Sequence, residues 1–315
     1  MLMPTAEVMP LLRCPKTGEP LRAEASGTLT STNGSGTTYR IHHGHPVLID
    51  FDRSVLDAET VFDSGAASPV RRHSYLGGLR RLAKWAVSPP KRTTARNVAR
   101  LREMLLERDP RPLALVVGGG SIGQGCRPLY DDPRIRLIGF DLYRSPNVQF
   151  VADAHAIPLA SESVDAVIVQ AVLEHVLDPH RVVAEIHRVL KPQGLVYAET
   201  PFLQQVHEGA YDFTRFTQTG HRWLFRHFEE LDSGSLGGPG TQLLWTIDYL
   251  VRGLFRSRVA GKAAKLVFAW VQLLDALIPE RYSVDAASGF FFLGRKADRP
   301  ITPREVIRAY RGADG

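Results

Sequence analysis

The sequence predicts an α/β protein built on a doubly wound parallel sheet, and three observations carry that expectation. An apolar run from Leu113 to Val117 breaks into GGGSIGQG at 118–125, as a strand buried on both faces does when its backbone must turn sharply beneath a ligand. Asp141 closes the next apolar run, IRLIGF, eighteen residues after Gly123, where a carboxylate can accept hydrogen bonds from both hydroxyls of a ribose. Short apolar runs and a helical pattern then alternate through residue 199. Together these outline a nucleotide-type cofactor site.

The chain opens with residues 1–52, a small β-rich segment in which TLTSTNGSGTTYRI sets an Asn33-Gly34 turn between β-prone stretches. His42, His43 and His45 lie close together, but on a strand His43 and His45 share a face while His42 points away. With no acidic or thiol partner nearby in sequence, they read as a polar hairpin tip. Residues 53–110 form a basic connector, helical from about Thr93 to Arg108, where Val98, Leu101, Leu105 and Leu106 make an apolar stripe. Between Arg71 and Arg111 twelve Lys or Arg residues face only Glu103, Glu107 and Asp109. Such a surface can attract RNA, anionic lipid or a phosphorylated substrate. Because no stacking aromatics are interleaved with the charge, a solvated face is preferred to a nucleic-acid partner.

Residues 111–298 carry the main domain, with strands expected near 113–118, 135–140, 148–152, 164–170 and 194–199. One helix is expected from about Ser121, its free N–H groups turned toward a carboxylate or phosphate. Another, at about 179–190, gathers Val182, Val183, Ile186, Val189 and Leu190 on one face before Pro192 and Gly194 stop it. Residues 241–279 offer an inserted helical pair, about 241–256 and 259–278, with Arg252, Arg256, Arg258, Lys262 and Lys265 around the junction. Core packing is the default for its apolar side chains; a lid, a homodimer surface or a peripheral membrane element are the functional readings. A last strand, Gly289 to Gly294, is expected as an antiparallel edge member, and 299–315 form a tail.

The 315 residues, 44% hydrophobic and 23% charged with a net charge of +6, describe an ordinary globular chain. Cys14 and Cys126 supply neither a disulfide framework nor a complete thiolate set. The amino end lacks a secretory pattern, and Leu266 to Ile278 is too short for a bilayer, so a cytoplasmic location is expected.

The segment VQFVADAHAIPLASESVDAVIVQAVLEHVLDPHRVVAEIHRVLKPQGLVYAETP at 148–201 resembles the core of class I S-adenosylmethionine-dependent methyltransferases, especially their small-molecule group. The resemblance runs over about 113–232 and implies a Rossmann-like methyltransferase sheet with S-adenosylmethionine as cofactor. It places Gly118, Gly120 and Gly123 beneath the methionine end, Asp141 on the ribose, Asp153 on the adenine amino group and Ala154 against the ring. Gln170 falls at the end of the fourth strand. The family's acid within the first strand falls on Val116 or Val117, and the glycine loop is one residue longer than usual. LLRCPKTGEPL with YRIHHGHPVLI resembles the zinc-ribbon-like domain of tRNA-methyltransferase activators. There Thr17 takes the second place of the first cysteine pair and the later pair is missing, which implies the shape without the metal.

Chemistry is expected beyond the carboxyl ends of the strands. Glu174 and His175 follow the fourth strand, and PFLQQVHEGAYDFTRFT at 201–217 brings His207, Glu208, Asp212 and Arg215 into one loop. His207 is the first candidate base, since an imidazole ordinarily titrates near neutrality; His175 is the second, with a bracing role as its alternative. Glu174, Asp212 and Arg215 are candidates for binding the acceptor, although Asp212 and Arg215 at a spacing of three can also pair to order the loop. No metal ligands are assigned. The reading is methyl transfer to an O, N or C nucleophile of a small or carrier-linked metabolite. Its alternatives are a nicotinamide-dependent oxidoreductase, which Gly118, Gly120, Gly123 and Asp141 also fit, a non-catalytic cofactor-binding scaffold, and an RNA methyltransferase.

Overall fold

A computed structural model describes residues 1–32, 36–63 and 92–313 of the chain. Among them run strands β1 (Leu21–Ala23), β2 (Thr28–Ser31), β3 (Thr38–His42), β4 (His45–Leu48), β5 (Leu113–Val117), β6 (Arg136–Asp141), β7 (Phe150–Ala152), β8 (Val164–Gln170), β9 (Leu190–Pro201), β10 (Phe228–Gly237) and β11 (Gly289–Lys296). They join one sheet in the order β1-β2-β3-β4-β7-β6-β5-β8-β9-β11-β10. Its centre, β4 to β9, is parallel, and β11 runs antiparallel between β9 and β10.

Alternation along β5 explains why the sheet is covered twice. Leu113, Leu115 and Val117 join a core with Val182, Val183, Ile186 and Val189 of the helix Pro179–Val189. Ala114 points the other way, into a core with Val98, Leu101 and Leu105 of the helix Arg92–Arg108. Both helices fall where their apolar stripes place them. Asp178 caps the first by accepting the Arg181 N–H at 3.0 Å.

The amino-terminal segment continues this sheet. β1 to β4 form an antiparallel meander, and β4 then pairs in parallel with β7 through Val47 against Val151 and Leu48 against Ala152. Val47, Leu48 and Ile49 are all buried, the uninterrupted apolar run of an interior strand. His42 and His45 face each other across the β3–β4 hairpin while His43 and Gly44, both at positive φ, form its two-residue turn. The histidines are thus a hairpin tip. Cys14 lies buried with its Sγ 3.2 Å from the Tyr39 hydroxyl.

Four expectations need correction or bounds. No helix starts at Ser121: residues 118–126 are turns, with Gly118 and Gly125 at positive φ, and the helix begins at Arg127 and ends at Asp131. The last strand is antiparallel but not the edge, because Phe228–Gly237, whose acidic and glycine-rich sequence conceals a strand, pairs along its outer side. The inserted pair is a helix at Pro239–Leu254, a second at Arg258–Val267 and then a 3-10 stretch at Ala269–Leu277, since Phe268 leaves helical geometry. Core packing accounts for Leu244 and Val271 but not for Leu250, Leu254, Phe255, Val259, Val267 and Leu277, which are exposed. The Asn33-Gly34 turn and the basic run from Arg71 to Lys91 lie outside the described residues.

Candidate active site

A cavity of about 450 Å³ opens at the carboxyl ends of the parallel strands, the position where open α/β sheets receive ligands. Val117 and Gly118 leave β5, Asp141 and Leu142 leave β6, Asp153 and Ala154 leave β7, and Gln170 and Ala171 leave β8, all lining it. Gly118 adopts φ +73°, and a Cβ there would come within 2.3 Å of Val172 Cγ2. Only glycine suits that turn. A Cβ on Gly123 would meet Gln170 Oε1 at 1.8 Å, so the loop backbone and this side chain touch directly.

Asp141 is 9% exposed, and each of its oxygens already holds one backbone donor. Oδ2 accepts the Gly120 N–H and Oδ1 the Leu142 N–H, both at 2.8 Å. The carboxylate lines the cavity, and a carboxylate accepts hydrogen bonds such as those a diol donates. Asp153 is more fully engaged: Oδ1 lies 2.9 Å from the His155 N–H and 2.6 Å from His155 Nδ1, and Oδ2 accepts the Ser54 hydroxyl at 2.7 Å. Burial alone would raise its pKa, but these donors outweigh it and hold the carboxyl below its ordinary range. A carboxylate offers about four acceptor sites, so one is left for an adenine amino group. Val55 and Leu56, beside Ser54, form part of the same wall.

Gln170 is fixed from below. Its Nε2 donates to Glu199 Oε2 at 2.8 Å and to the Gln124 carbonyl at 3.2 Å, which turns Oε1 toward Gly123. Glu199 is buried at the end of β9 and also accepts from Thr94 on the helix Arg92–Arg108 and from the Tyr197 hydroxyl at 2.6 Å. Sequence reasoning missed Glu199 and Ser54. An acid inside LVYAETP, an otherwise buried strand, was a readable signal for the first; Ser54 carries no local signal.

The second half of the site is built by the turn after β8 and the loop after β9. Leu173–His175 form a 3-10 turn, and the Glu174 carbonyl accepts the Phe213 N–H at 2.8 Å, pinning the two segments together. Asp212 accepts the His207 N–H at 2.9 Å and pairs with Arg215, whose Nη2 lies 2.9 Å from Oδ2. Burial would raise the Asp212 pKa, but the Arg215 guanidinium and the His207 N–H outweigh it and hold the carboxyl at about 2. Arg215 also donates to the Gln204 carbonyl at 3.0 Å. Asp212 and Arg215 therefore order the loop and do not line the cavity.

His175 and His207 do line it, their ring centroids 5.0 Å apart and edge to face. His175 Nδ1 sits 2.7 Å from the Tyr211 carbonyl, and burial lowers its pKa. Glu174, 1% exposed, lies beneath both rings, with Oε1 3.7 Å from His175 Nε2 and 3.9 Å from His207 Nε2. The fold thus brings His207 to the adjacent pair Glu174 and His175, more than thirty residues earlier in the chain.

Residues 116–198 match the family model described as a methyltransferase domain. Comparison with the curated proteins gives no match. Among solved structures, the chain is similar to phosphoethanolamine N-methyltransferase 2 of Haemonchus contortus in complex with S-adenosyl-L-methionine, at 16% identity and a TM-score of 0.43 over 70% of this chain and 57% of that one. It is similar to the 1,6-didemethyltoxoflavin-N1-methyltransferase of Burkholderia thailandensis at 13% identity and a TM-score of 0.38, covering 72% of this chain and 94% of the other. The [4+2]-cyclase SpnF matches at 21% identity and a TM-score of 0.41, over 63% of this chain and 80% of its own.

Proposed function

We propose that the chain is an S-adenosylmethionine-dependent methyltransferase acting on an O, N or C nucleophile of a small or carrier-linked acceptor. The observation that carries this reading is Asp141: a nearly buried carboxylate at the end of β6, anchored by the Gly120 and Leu142 N–H groups and facing a cavity floored by the glycine turn. It stands inside the segment matched by the methyltransferase domain model. When bound, the cofactor supplies a methyl group activated on a sulfonium. Asp141 would take the ribose hydroxyls, Asp153 and the Ala154 backbone the adenine, and Gly118, Gly120, Gly123 and Gln170 the methionine end.

The protein's own contribution is alignment and, for a protonated acceptor, removal of a proton. His175 and His207 stand at the cavity wall with Nε2 available for that proton, and Asp212 and the Tyr211 carbonyl fix the orientation of the rings from behind. Among the described residues no helix is long and apolar enough to cross a membrane.

Calorimetric titration with S-adenosylhomocysteine and with NAD tests the cofactor. The homocysteine product is expected to bind and NAD not to. Asp141→Ala is expected to weaken the former at least tenfold, about 1.5 kcal/mol or more, by removing a charged acceptor. NAD binding without S-adenosylhomocysteine binding would turn the reading to a nicotinamide oxidoreductase.

A further inference from the structure

We propose that Glu174, His175 and His207 form a site for one divalent transition-metal ion of the zinc class, with its open position turned into the cavity. Hydrogen-bond accounting leads there. His175 Nδ1 faces the Tyr211 carbonyl at 2.7 Å, and a carbonyl only accepts, so Nδ1 carries the proton and Nε2 the lone pair. His207 Nδ1 faces Asp212 Oδ2 at 3.3 Å and the Gln205 carbonyl at 3.4 Å, again acceptors, which sets the same tautomer. Both Nε2 lone pairs therefore point toward one Glu174 oxygen, at 3.7 and 3.9 Å. All three ligand atoms lie within 4.8 Å of one another.

Three potential ligand atoms gathered this closely form an arrangement that one cation can occupy. Ligand atoms about 2.1 Å from a tetrahedral ion are separated by about 3.4 Å, so the two spacings to Glu174 Oε1, 3.7 and 3.9 Å, exceed closure by a few tenths of an ångström. Two imidazoles and a carboxylate, with no thiolate, are the donor set of zinc, manganese, iron or cobalt sites rather than of magnesium or calcium, which prefer oxygen alone. The supports behind the rings are those that metal-bound histidines use: a backbone carbonyl for His175 and a carboxylate for His207, with Arg215 holding Asp212 in place. Three protein ligands leave one position open, as in catalytic rather than structural sites.

The site goes beyond the cofactor reading and does not depend on it. If both hold, the ion faces the acceptor end of the cavity, which selects acceptors carrying an oxygen ligand, a hydroxyl, carbonyl or carboxylate. His207 Nε2 is then a ligand instead of a base, and for a hydroxyl acceptor, coordination of its oxygen eases loss of the hydroxyl proton to water.

The full chain, stripped with chelator, is titrated with Co²⁺ while visible ligand-field absorption and equilibrium dialysis are followed, and Zn²⁺ is then added in competition. One Co²⁺ per chain is expected, with the bands of a four- or five-coordinate ion that Zn²⁺ abolishes. His175→Ala and His207→Ala are expected to lose the bands and weaken binding at least tenfold, and Asp212→Asn to weaken it ten- to a hundredfold. His42→Ala is expected to change neither. Glu174 is buried, so His207→Ala in its loop is the decisive variant, with circular dichroism recording its fold. Absence of bands in the wild type, or binding unchanged in His207→Ala, overturns the site. S-adenosylhomocysteine titrations on the same samples report separately on the cofactor.

Discussion

Buried ionisable groups persist only where partners or neutrality compensate their lost hydration, and this molecule uses both solutions. Asp141, Asp153 and Glu199 each collect donors, from Gly120 and Leu142, from Ser54 and His155, and from Thr94, Tyr197 and Gln170. Asp141 was legible because both its position and its glycine loop are local in sequence. Glu199 was readable as an acid in a buried strand, but its partners were not legible, since one of its donors lies 105 residues away. His221 takes the other course. It is buried among Phe225, Phe290 and Phe292, beside Arg222, which pairs with Glu230, and burial followed by the Arg222 charge pushes its pKa down to about 3. The folded state therefore keeps it neutral while the unfolded chain protonates it near its ordinary value of about 6.5. Stability is complete above that value and falls as pH drops toward about 3. From pH 7 to pH 5 this residue should cost about 2 kcal/mol. Urea midpoints at the two pH values are expected to differ less in His221→Leu than in the wild type.

At the scale of elements, periodicity located what is amphipathic and failed where a distant partner decides. The helices Arg92–Arg108 and Pro179–Val189 follow their stripes within a residue or two. The predicted second inserted helix, about 259–278, holds only to Val267 and gives way to the 3-10 stretch Ala269–Leu277, where Asp275 has another task. Its carboxylate accepts the N–H groups of Gly238, Gly240 and Thr241 at 3.0, 2.7 and 3.1 Å and the Thr241 hydroxyl at 2.6 Å. A side chain that reads as an interruption of an apolar helix thus caps the amino end of a different one. Gly240 allows the approach, for a Cβ there would sit 2.4 Å from the Val271 carbonyl. Asp275→Ala is expected to destabilise the insertion by about 1–2 kcal/mol. Hydrogen exchange is expected to quicken across 239–278 and stay unchanged in β5, β6 and β8; protection retained throughout would show the cap to be dispensable.

The whole molecule is organised by one sheet whose centre could be read from sequence and whose flanks could not. Parallel pairing of β4 with β7 joins residues about a hundred apart, and neither strand announces its neighbour. Met3, Val8, Leu12, Leu29 and Leu48 share a core with Leu115 and Phe150, while Leu12 bridges to Leu159 and Leu2 to Leu137. The amino-terminal segment should therefore unfold together with the main domain. Calorimetry of the intact chain is expected to give one cooperative transition, and a chain lacking residues 1–49 to lose it; two separate transitions would mark the segment as independent. The ordering of strands also determines how the protein meets other copies of itself. Among the described residues the sheet ends at β1, three residues long, and at β10, which carries Glu229, Glu230 and Asp232 and two register shifts. Neither border offers an incoming strand a long, straight row of open peptide groups, so a sheet this wide finishes without inviting edge-to-edge aggregation.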